Sequence, residues 1–169
     1  MIKKLLLITI LILTFSNCGS SKKVKTQNAS TTKTAPKKLT KAERIVSYAK
    51  QFKGVRYKWG GTTKAGMDCS GLVYESFRAH GTYLPRISRD MAKKGKKVNL
   101  KDVKEGDLLF FRTKKRGGRK VNHVGLVTKA NSKTIEFIHS TSSKGVIITK
   151  LSEDYWNKAF VEARSLLSN

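Results

Sequence analysis

Cysteine and acidic residues are both scarce in this chain. It holds two cysteines, Cys18 and Cys69, so a fold held together by several disulfides is excluded and one bridge is the most it allows. No second cysteine stands a few residues from either of them, so the paired ligands of common zinc sites are missing. The role of each thiol therefore has to be read from its surroundings.

Long hydrophobic runs are confined to the first residues of the chain. Lys3 and Lys4 precede the apolar stretch 5–13, which is too short to span a bilayer comfortably. A charged start followed by such a stretch is typical of a signal peptide, which we place at residues 1–17. No transmembrane segment is expected in the mature chain.

The sequence around Cys18 is similar to the end of a bacterial lipoprotein signal, in which the cysteine receives lipid and becomes the new N-terminus. Phe15 and Asn17 depart from that pattern, since leucine and a small residue usually stand there. We predict Cys18 as the lipid attachment site, with an ordinary secretory signal and an incidental cysteine as the alternative. Lipidation would consume the Cys18 thiol and leave Cys69 without a disulfide partner.

Large apolar residues are almost missing from Gly19 to Lys38, where Ser, Thr, Lys, Asn and Gln dominate. Such a segment cannot bury enough surface to offset the entropy lost on ordering. We therefore predict a flexible basic tether over residues 18–39 and one catalytic domain over residues 40–169.

Acidic residues number 11 against 36 lysines and arginines, which gives a formal net charge of +25. The basic residues are spread along the chain, and such a surplus indicates an anionic neighbour. Nucleic acid is the usual candidate, but an exported, lipid-anchored chain meets anionic lipid headgroups and the acidic cell wall instead. We expect no nucleic-acid partner; the alternative is that the lysines serve solubility alone.

Helical signals come first along the chain and strand signals follow. Thr40 and Glu43 have the spacing of a capping box, which predicts a helix over residues 41–52, and a glycine-rich loop follows. A second helix is predicted to begin at Cys69 with Asp68 as its cap. Short β-rich runs then occupy residues 108–112, 121–128, 134–140, 146–150 and 160–166. Helices followed by strands predict an α+β fold.

Cys69 stands where a thiol can act as a nucleophile. At a helix N-terminus, unpaired backbone N–H groups and the helix dipole favour negative charge, which predicts a thiol that loses its proton readily. A nearby imidazole would pair with the thiolate and then protonate the leaving amine.

His123 and His139 lie on two predicted strands joined by a turn-like stretch, which predicts an antiparallel hairpin. Pairing Thr128 with Thr134 would place His123 directly opposite His139, with their Cβ atoms roughly 5 Å apart. Cys69, His123 and His139 would then form a nucleophile, a base and an orienting third group.

Each of these residues also has a plainer interpretation. A strand histidine is more often structural than functional, and a buried cysteine is more often inert; we interpret His80, at the end of the cysteine helix, as structural. Cys69 with two histidines could also hold zinc, but a thiol at a helix start beside a glycine loop fits catalysis better. We therefore expect no metal and no organic cofactor. Gly125 is expected to leave space for a neighbouring side chain or a substrate.

A family resemblance is carried by the segments Tyr57-Lys58-Trp59-Gly60-Gly61, Asp68-Cys69-Ser70-Gly71-Leu72-Val73, Leu84-Pro85-Arg86, Gly106-Asp107-Leu108-Leu109-Phe110-Phe111 and His123-Val124-Gly125. They resemble, in this order, the NlpC family of papain-like cell-wall peptidases. The resemblance implies a papain-like α+β fold. In that fold the cysteine helix and the other N-terminal helices pack on an antiparallel sheet of about five or six strands.

The resemblance also implies roles for individual residues. The catalytic set is Cys69 as nucleophile, His123 as base and His139 as the polar third member. The residues implied to hold the substrate peptide are Tyr57, Asp68, Ser70 and Arg86. Two of these have structural alternatives, since Asp68 would also serve as a helix cap and Arg86 as a structural hydrogen-bond donor.

Two details of the substrate side remain open at this stage. Family members often carry a glutamine shortly after an Arg-x-Ser segment, whereas this chain reads Arg86-Ile87-Ser88-Arg89-Asp90-Met91, so the contacts of that loop are open. For Trp59 we favour a packed aromatic pair with Tyr57 that braces the glycine loop.

The function implied is hydrolysis of amide bonds in the stem peptides of peptidoglycan, or in their cross-links, by a monomer lipid-anchored in the cell envelope. The expected place is the periplasmic side of the outer membrane. The bond cut, D-Ala to diaminopimelate or D-Glu to diaminopimelate, stays open. Two other functions stay open: a non-catalytic wall-binding scaffold, which would be expected to have lost one of the three catalytic side chains, and a thiol acyltransferase.

Overall fold

The computed structural model describes residues 38–113 and 121–167. The signal peptide predicted at residues 1–17, the lipid site at Cys18 and nearly all of the tether predicted at 18–39 lie outside these ranges and stay predictions. Within the described ranges, no helix is both long enough and apolar enough to cross a bilayer.

The described residues form four α-helices, eight strands and one short 3₁₀ helix at Leu100–Asp102. In chain order the α-helices and strands are α1 (Lys41–Lys50), β1 (Thr62–Thr63), β2 (Gly66–Met67), α2 (Cys69–Arg78), α3 (Ser88–Met91), β3 (Lys96–Val98), β4 (Leu108–Phe111), β5 (His123–Ala130), β6 (Ile135–Thr141), β7 (Gly145–Lys150), α4 (Asp154–Ala159) and β8 (Phe160–Ser165).

Helix α1 begins with the predicted capping box. The Thr40 hydroxyl accepts a hydrogen bond from the backbone N–H of Glu43 at 3.2 Å, and the Glu43 carboxylate accepts from the N–H of Thr40 at 2.7 Å. The helix ends at Lys50 rather than at the predicted Phe52. The chain tightens there, because the N–H of Phe52 bonds to the carbonyl of Ala49, and it then turns.

Six strands form one antiparallel sheet in the order β3-β8-β4-β5-β6-β7. Because side chains alternate along a strand, β4 sends Leu108 and Phe110 into a core that also contains residues of α1 and α2. It sends Leu109 and Phe111 into a second core on the opposite face, which Trp156 of α4 joins. The predicted α+β fold, with helices packed on an antiparallel sheet, is confirmed.

The register predicted for the β5–β6 hairpin is wrong. Val127 pairs with Phe137 rather than with Ile135, a shift of two residues along β6. The hairpin closes at Ala130 and Ile135, beyond the predicted Thr128–Thr134 pair, and the register then slips at a β-bulge between Val127 and Lys129. Because side chains on one face repeat every second residue, this shift leaves His123 and His139 on the same face.

Gly125 makes room for an aromatic ring, as predicted. A Cβ atom at Gly125 would overlap the ring of Phe137 on the adjacent strand. Phe137 is fully buried and stacks on Phe111, with ring centroids 5.0 Å apart. The glycine therefore lets the ring lie flat on the sheet beside the histidines.

Several short elements were not predicted. Strands β1 and β2 form a small sheet within the glycine loop, β3 adds an edge strand to the main sheet, and α3 and α4 are single short helices. Each is too short to show a hydrophobic period, so its conformation depends on tertiary contacts that a local pattern does not contain.

Replacement of Gly125 by alanine is expected to lower the free energy of unfolding by about 1–3 kcal/mol, because the new methyl group displaces the Phe137 ring. Urea denaturation measures this. In the double variant with Phe137→Leu, the smaller side chain removes part of the overlap. The double variant should therefore lose less free energy of unfolding than the two single variants lose together. Strict additivity would show that Gly125 and Phe137 do not contact each other as described.

Candidate active site

The start of α2 is held tightly against the glycine loop. The Asp68 carboxylate caps the helix by accepting from the N–H of Gly71 at 2.6 Å, and the N–H of Asp68 donates to the carbonyl of Gly61 at 3.2 Å. A Cβ atom at Gly71 would overlap the Gly61 carbonyl oxygen. Glycine at position 71 therefore lets the loop approach the helix closely, which places Cys69 at the first helical position.

Asp68 and Arg86 form a bidentate ion pair behind the cysteine. The guanidinium nitrogens of Arg86 lie 2.9 and 2.8 Å from the two carboxylate oxygens of Asp68. Arg86 also donates to the Ser70 hydroxyl at 2.9 Å and to the Gly61 carbonyl at 3.3 Å, while Asp68 accepts from the N–H of Gly60 at 2.8 Å. Paired, nearly planar contacts of this kind are strong and directional.

This network changes the interpretation of three predicted substrate-binding residues. The structure brings Asp68, Ser70 and Arg86 together in the wall of a groove that Cys69 also lines, and there their polar atoms bind one another and the glycine loop. Asp68 is more than a helix cap, because it holds Arg86 through both oxygens. The contacts of the Arg86 loop, which the sequence left open, are those of a brace for the start of α2.

The Cys69 thiol lies where α2 meets the start of β5. Backbone N–H groups of Val124, Ser70 and Cys69 itself face the sulfur and favour its charged form, yet burial outweighs them and raises the pKa of the thiol. The charge of Asp68 raises that pKa further. The sequence-based expectation of an easily deprotonated thiol is therefore wrong for the isolated cysteine, because desolvation is larger than the helix-terminus effect.

His123 and His139 form a hydrogen-bonded pair. Nε2 of His123 lies 2.9 Å from Nδ1 of His139, whose Nε2 lies 2.9 Å from the Thr149 hydroxyl. Burial lowers the pKa of His123 to about 4 and, helped by the nearby His123, lowers the pKa of His139 to about 2. The predicted contact between the two histidines is confirmed, but it runs diagonally across the hairpin.

Burial raises the pKa of the Cys69 thiol and lowers the pKa of the His123 imidazole, because it disfavours the charged form of each. A lone thiolate and a lone imidazolium are both costly here. A proton that moves from Cys69 to His123 creates both charges at once, so that each is stabilised by the other. Because Nε2 of His123 is occupied by His139, Nδ1 is the nitrogen left to receive that proton.

An aromatic side chain that the sequence analysis assigned no role covers the histidines. The ring centroid of Trp156 lies 5.1 Å from that of His123 and 4.5 Å from that of His139. Phe137 contacts His139 from another side, with centroids 4.6 Å apart. Trp156 lies on the unpredicted helix α4, so no local pattern pointed to this position.

Cys69 and His123 open into one groove of about 900 Å³. Tyr57 lines it, and burial followed by the nearby Cys69 raises the pKa of its phenol, which places the two side chains close together. Trp59 also lines the groove, and its side chain is 85% exposed. The prediction that Trp59 packs against Tyr57 is therefore wrong: it is a solvent-facing wall of the groove.

The remaining predictions concern residues away from the groove and metal ligands. His80 is structural, as predicted: its Nδ1 lies 3.0 Å from the Ser76 carbonyl and its ring packs edge-on against Tyr48. Over residues 38–113 and 121–167, no three His, Cys, Asp or Glu side chains are grouped as metal ligands. A larger concavity of about 1450 Å³, near Lys96 and Leu151, contains none of the predicted site residues.

Comparison with known proteins gives a consistent result. The model of the NlpC/P60 family matches residues 54–165. Over 126 residues the chain is 41% identical to the murein DD-endopeptidase MepS/murein LD-carboxypeptidase of Escherichia coli strain K12, covering 74% of this chain and 63% of that protein. It is 38% identical over 128 residues to the gamma-D-glutamyl-L-lysine dipeptidyl-peptidase of Bacillus subtilis strain 168, covering 75% of this chain and 42% of the other.

A solved structure agrees with the sequence relatives. An NlpC/P60 family protein from Bacillus cereus ATCC 10987 superimposes with a TM-score of 0.68 at 30% identity, covering 75% of this chain and 40% of the other. The chain thus spans less than two thirds of the length of each of these three proteins.

Acidification is expected to destabilise the Cys69→Ala variant between the ordinary imidazole pKa, about 6.5, and pH 4. The unfolded histidines take up protons over that range, whereas folded His123 stays neutral down to about 4. The part of the free energy of unfolding that depends on neutral His123 is therefore fully present above pH 6.5 and is lost as the pH falls towards 4. Urea unfolding at several pH values measures the slope, and the same slope after His123→Asn and His139→Asn substitutions would contradict the assignment.

Proposed function

Because the chain belongs to the NlpC/P60 family, we propose that it is a cysteine peptidase that hydrolyses amide bonds in the stem peptides of peptidoglycan. The observation that carries this proposal is that Cys69 and His123 line one groove and that His123 is hydrogen-bonded to the buried His139. The thiol lies at a helix start, the base is hydrogen-bonded to its orienting partner, and both open to the same space. These are the parts that nucleophilic acyl transfer requires.

The chemistry begins at the sulfur. Cys69 Sγ attacks the carbonyl carbon of the scissile amide while its proton passes to Nδ1 of His123. The backbone N–H groups of Cys69 and Val124, which face the sulfur, are the donors available to the oxyanion. Collapse of this intermediate breaks the C–N bond, and the proton on His123 goes to the leaving amine. A thioester on Cys69 remains.

Water then completes the cycle. His123 takes a proton from a water molecule whose oxygen attacks the thioester carbonyl. When the C–S bond breaks, the new carboxylic acid leaves and Cys69 recovers its proton from His123. His139 orients His123 throughout and stabilises its positive charge through the 2.9 Å hydrogen bond.

The groove has the size and lining for a branched peptide. Its volume of about 900 Å³ lies at the upper end for ligand sites. Tyr57 and Trp59 offer aromatic surface next to the nucleophile, and Trp59 is exposed enough to pack on a peptide without rearrangement. Whether the D-Ala to diaminopimelate cross-link or the D-Glu to diaminopimelate bond is cut is left to the products of the assay below.

The proposal extends to a lipid anchor at Cys18, which would tether the domain in the cell envelope, on the periplasmic side of the outer membrane. The support is in the sequence: Lys3 and Lys4 precede the short apolar stretch 5–13, Cys18 stands five residues after it, and a polar basic segment follows. The net charge of +25 would hold the chain near anionic lipid and the wall.

Two other functions are weighed against this proposal. A wall-binding scaffold would not need a thiol and an imidazole in one groove, with a second histidine hydrogen-bonded to the first, and all three side chains are present. An acyltransferase would use the same thioester but pass the acyl group to an amine. Addition of a competing amine to the assay separates that activity from hydrolysis.

Digestion of purified peptidoglycan by the chain, but not by its Cys69→Ala variant, is the expected outcome, because the variant lacks the nucleophile and keeps the fold. Mass spectrometry of the released peptides identifies the bond. The Cys69→Ala variant should unfold at nearly the same temperature as the parent, which shows that the loss is chemical. Equal digestion by both chains, or none by either, would refute the peptidase.

Replacement of Cys18 by serine is expected to release the chain from membranes when it is expressed in a bacterium that processes lipoproteins, since serine lacks the acceptor thiol. Fractionation followed by immunoblotting measures the distribution. A Ser20→Ala variant is the control and should remain with the membrane. A Cys18→Ser chain that stays in the membrane fraction would disprove the lipid anchor.

A further inference from the structure

Thr149 ends the hydrogen-bonded chain that starts at the active-site base. Its hydroxyl lies 2.9 Å from Nε2 of His139, and its side chain is 5% exposed. Thr149 lies on β7 opposite Phe137 and so belongs to the same sheet face as the histidines. Trp156 packs edge-on against His139, which is fully buried, so water has little access to that nitrogen.

Each neutral imidazole carries one N–H and one bare nitrogen. The hydrogen bonds from His123 through His139 to Thr149 therefore allow only two arrangements of the protons, called proton patterns below. In the productive pattern His123 is protonated on Nε2 and donates to His139, which is protonated on Nε2 and donates to Thr149. Nδ1 of His123 is then bare and can take the Cys69 proton. In the reverse pattern His139 donates to His123, and the proton of His123 occupies Nδ1, where it blocks the base.

The hydroxyl of Thr149 can rotate to accept or donate a hydrogen bond and so fits either pattern. The productive pattern, however, depends on the hydroxyl more than the reverse pattern does. Once His123 is charged it must donate through Nε2, so His139 must present a bare Nδ1 and keep its own proton on Nε2. That proton then requires an acceptor. Without the hydroxyl, the productive pattern leaves a buried N–H unpaired, whereas the reverse pattern leaves only a bare nitrogen, which is less costly to bury.

We propose that Thr149 is a positioning residue of the peptidase: by accepting the hydrogen bond from Nε2 of His139, it holds the histidine pair in the proton pattern that leaves His123 able to receive the Cys69 proton. This inference rests on the proposed function for its catalytic consequence. Its structural content, the position of two protons, can be measured in a chain that does no chemistry.

The variants isolate the hydroxyl. Thr149→Val keeps the branched shape and removes the hydroxyl, whereas Thr149→Ser keeps the hydroxyl and loses a methyl group. Thr128→Val is the matched control, because Thr128 is similarly buried on strand β5 of the same sheet and its hydroxyl donates to the Glu136 carbonyl instead of contacting a histidine. Thr149→Ala provides a second hydroxyl-free chain should the valine variant fold poorly.

The first readout is the proton pattern itself. Long-range ¹H–¹⁵N NMR spectra of the full chain carrying Cys69→Ala distinguish protonated from bare imidazole nitrogens. We expect the proton of His123 to lie on Nε2 in the parent and in Thr149→Ser, and on Nδ1 in Thr149→Val. The same pattern in all three chains would overturn the proposal, whether or not the protein is a peptidase.

The second readout is turnover of a soluble stem peptide. With Cys69 intact, Thr149→Val should lower kcat by about 10–100-fold with little change in KM. Thr149→Ser should restore most of the rate, and Thr128→Val should match the parent. A serine variant as slow as the valine variant, or a loss confined to KM, would overturn it. Absence of turnover in every chain, parent included, would refute the proposed function while the NMR result still decides the role of Thr149.

Discussion

The bidentate ion pair between Asp68 and Arg86 is the interaction on which the site depends. It lies directly before the first residue of α2, and its two side chains also bind Gly60, Gly61 and Ser70. The same carboxylate therefore caps the helix, anchors the glycine loop and neutralises the arginine. A buried charge of this kind is tolerated only when it is fully paired. The requirement for pairing fixes the loop, the helix start and hence Cys69 in one geometry.

The second constraint is the burial of the groups proposed to be catalytic. Burial disfavours a charge on Cys69 and on His123 separately, so the proposed mechanism moves the proton between them in one coupled step rather than by independent ionisation. The cost of burying two imidazoles is offset by two hydrogen bonds, one between the two rings and one between His139 and the Thr149 hydroxyl. Trp156 and Phe137 enclose the pair and thereby strengthen those hydrogen bonds.

Much of the fold followed from local patterns. The capping box of α1, the Asp68 cap of α2 and the five longer strands all lie close to where their residue types predicted them. The hairpin register was wrong by two residues, because the hairpin closes at Ala130 and Ile135 and a bulge follows near Thr128, and the sequence pattern indicates neither feature. The contact between His123 and His139 nevertheless survived, since an even shift keeps side chains on their original face.

The parts of the site that could not be predicted depend on tertiary contacts. Arg86 was predicted to hold substrate, and its contacts show that it also braces the start of α2. Trp59 was expected to be packed, but the loop turns it outwards. Trp156 and Thr149 reach the histidines only through the packing of α4 and the register of β7. In each case the residue type alone is ambiguous, and its neighbours decide the role.

The central claim is that the Cys69 thiol lies in position to attack the carbonyl of a stem peptide bound in the groove. A stem-peptide analogue with a ¹³C-labelled aldehyde in place of the scissile carbonyl tests this most directly, because a thiol adds to an aldehyde reversibly and without turnover. We predict a hemithioacetal signal with the parent chain that is absent with Cys69→Ala. An aldehyde that stays free with the parent, or that gives the same adduct with both chains, would contradict it.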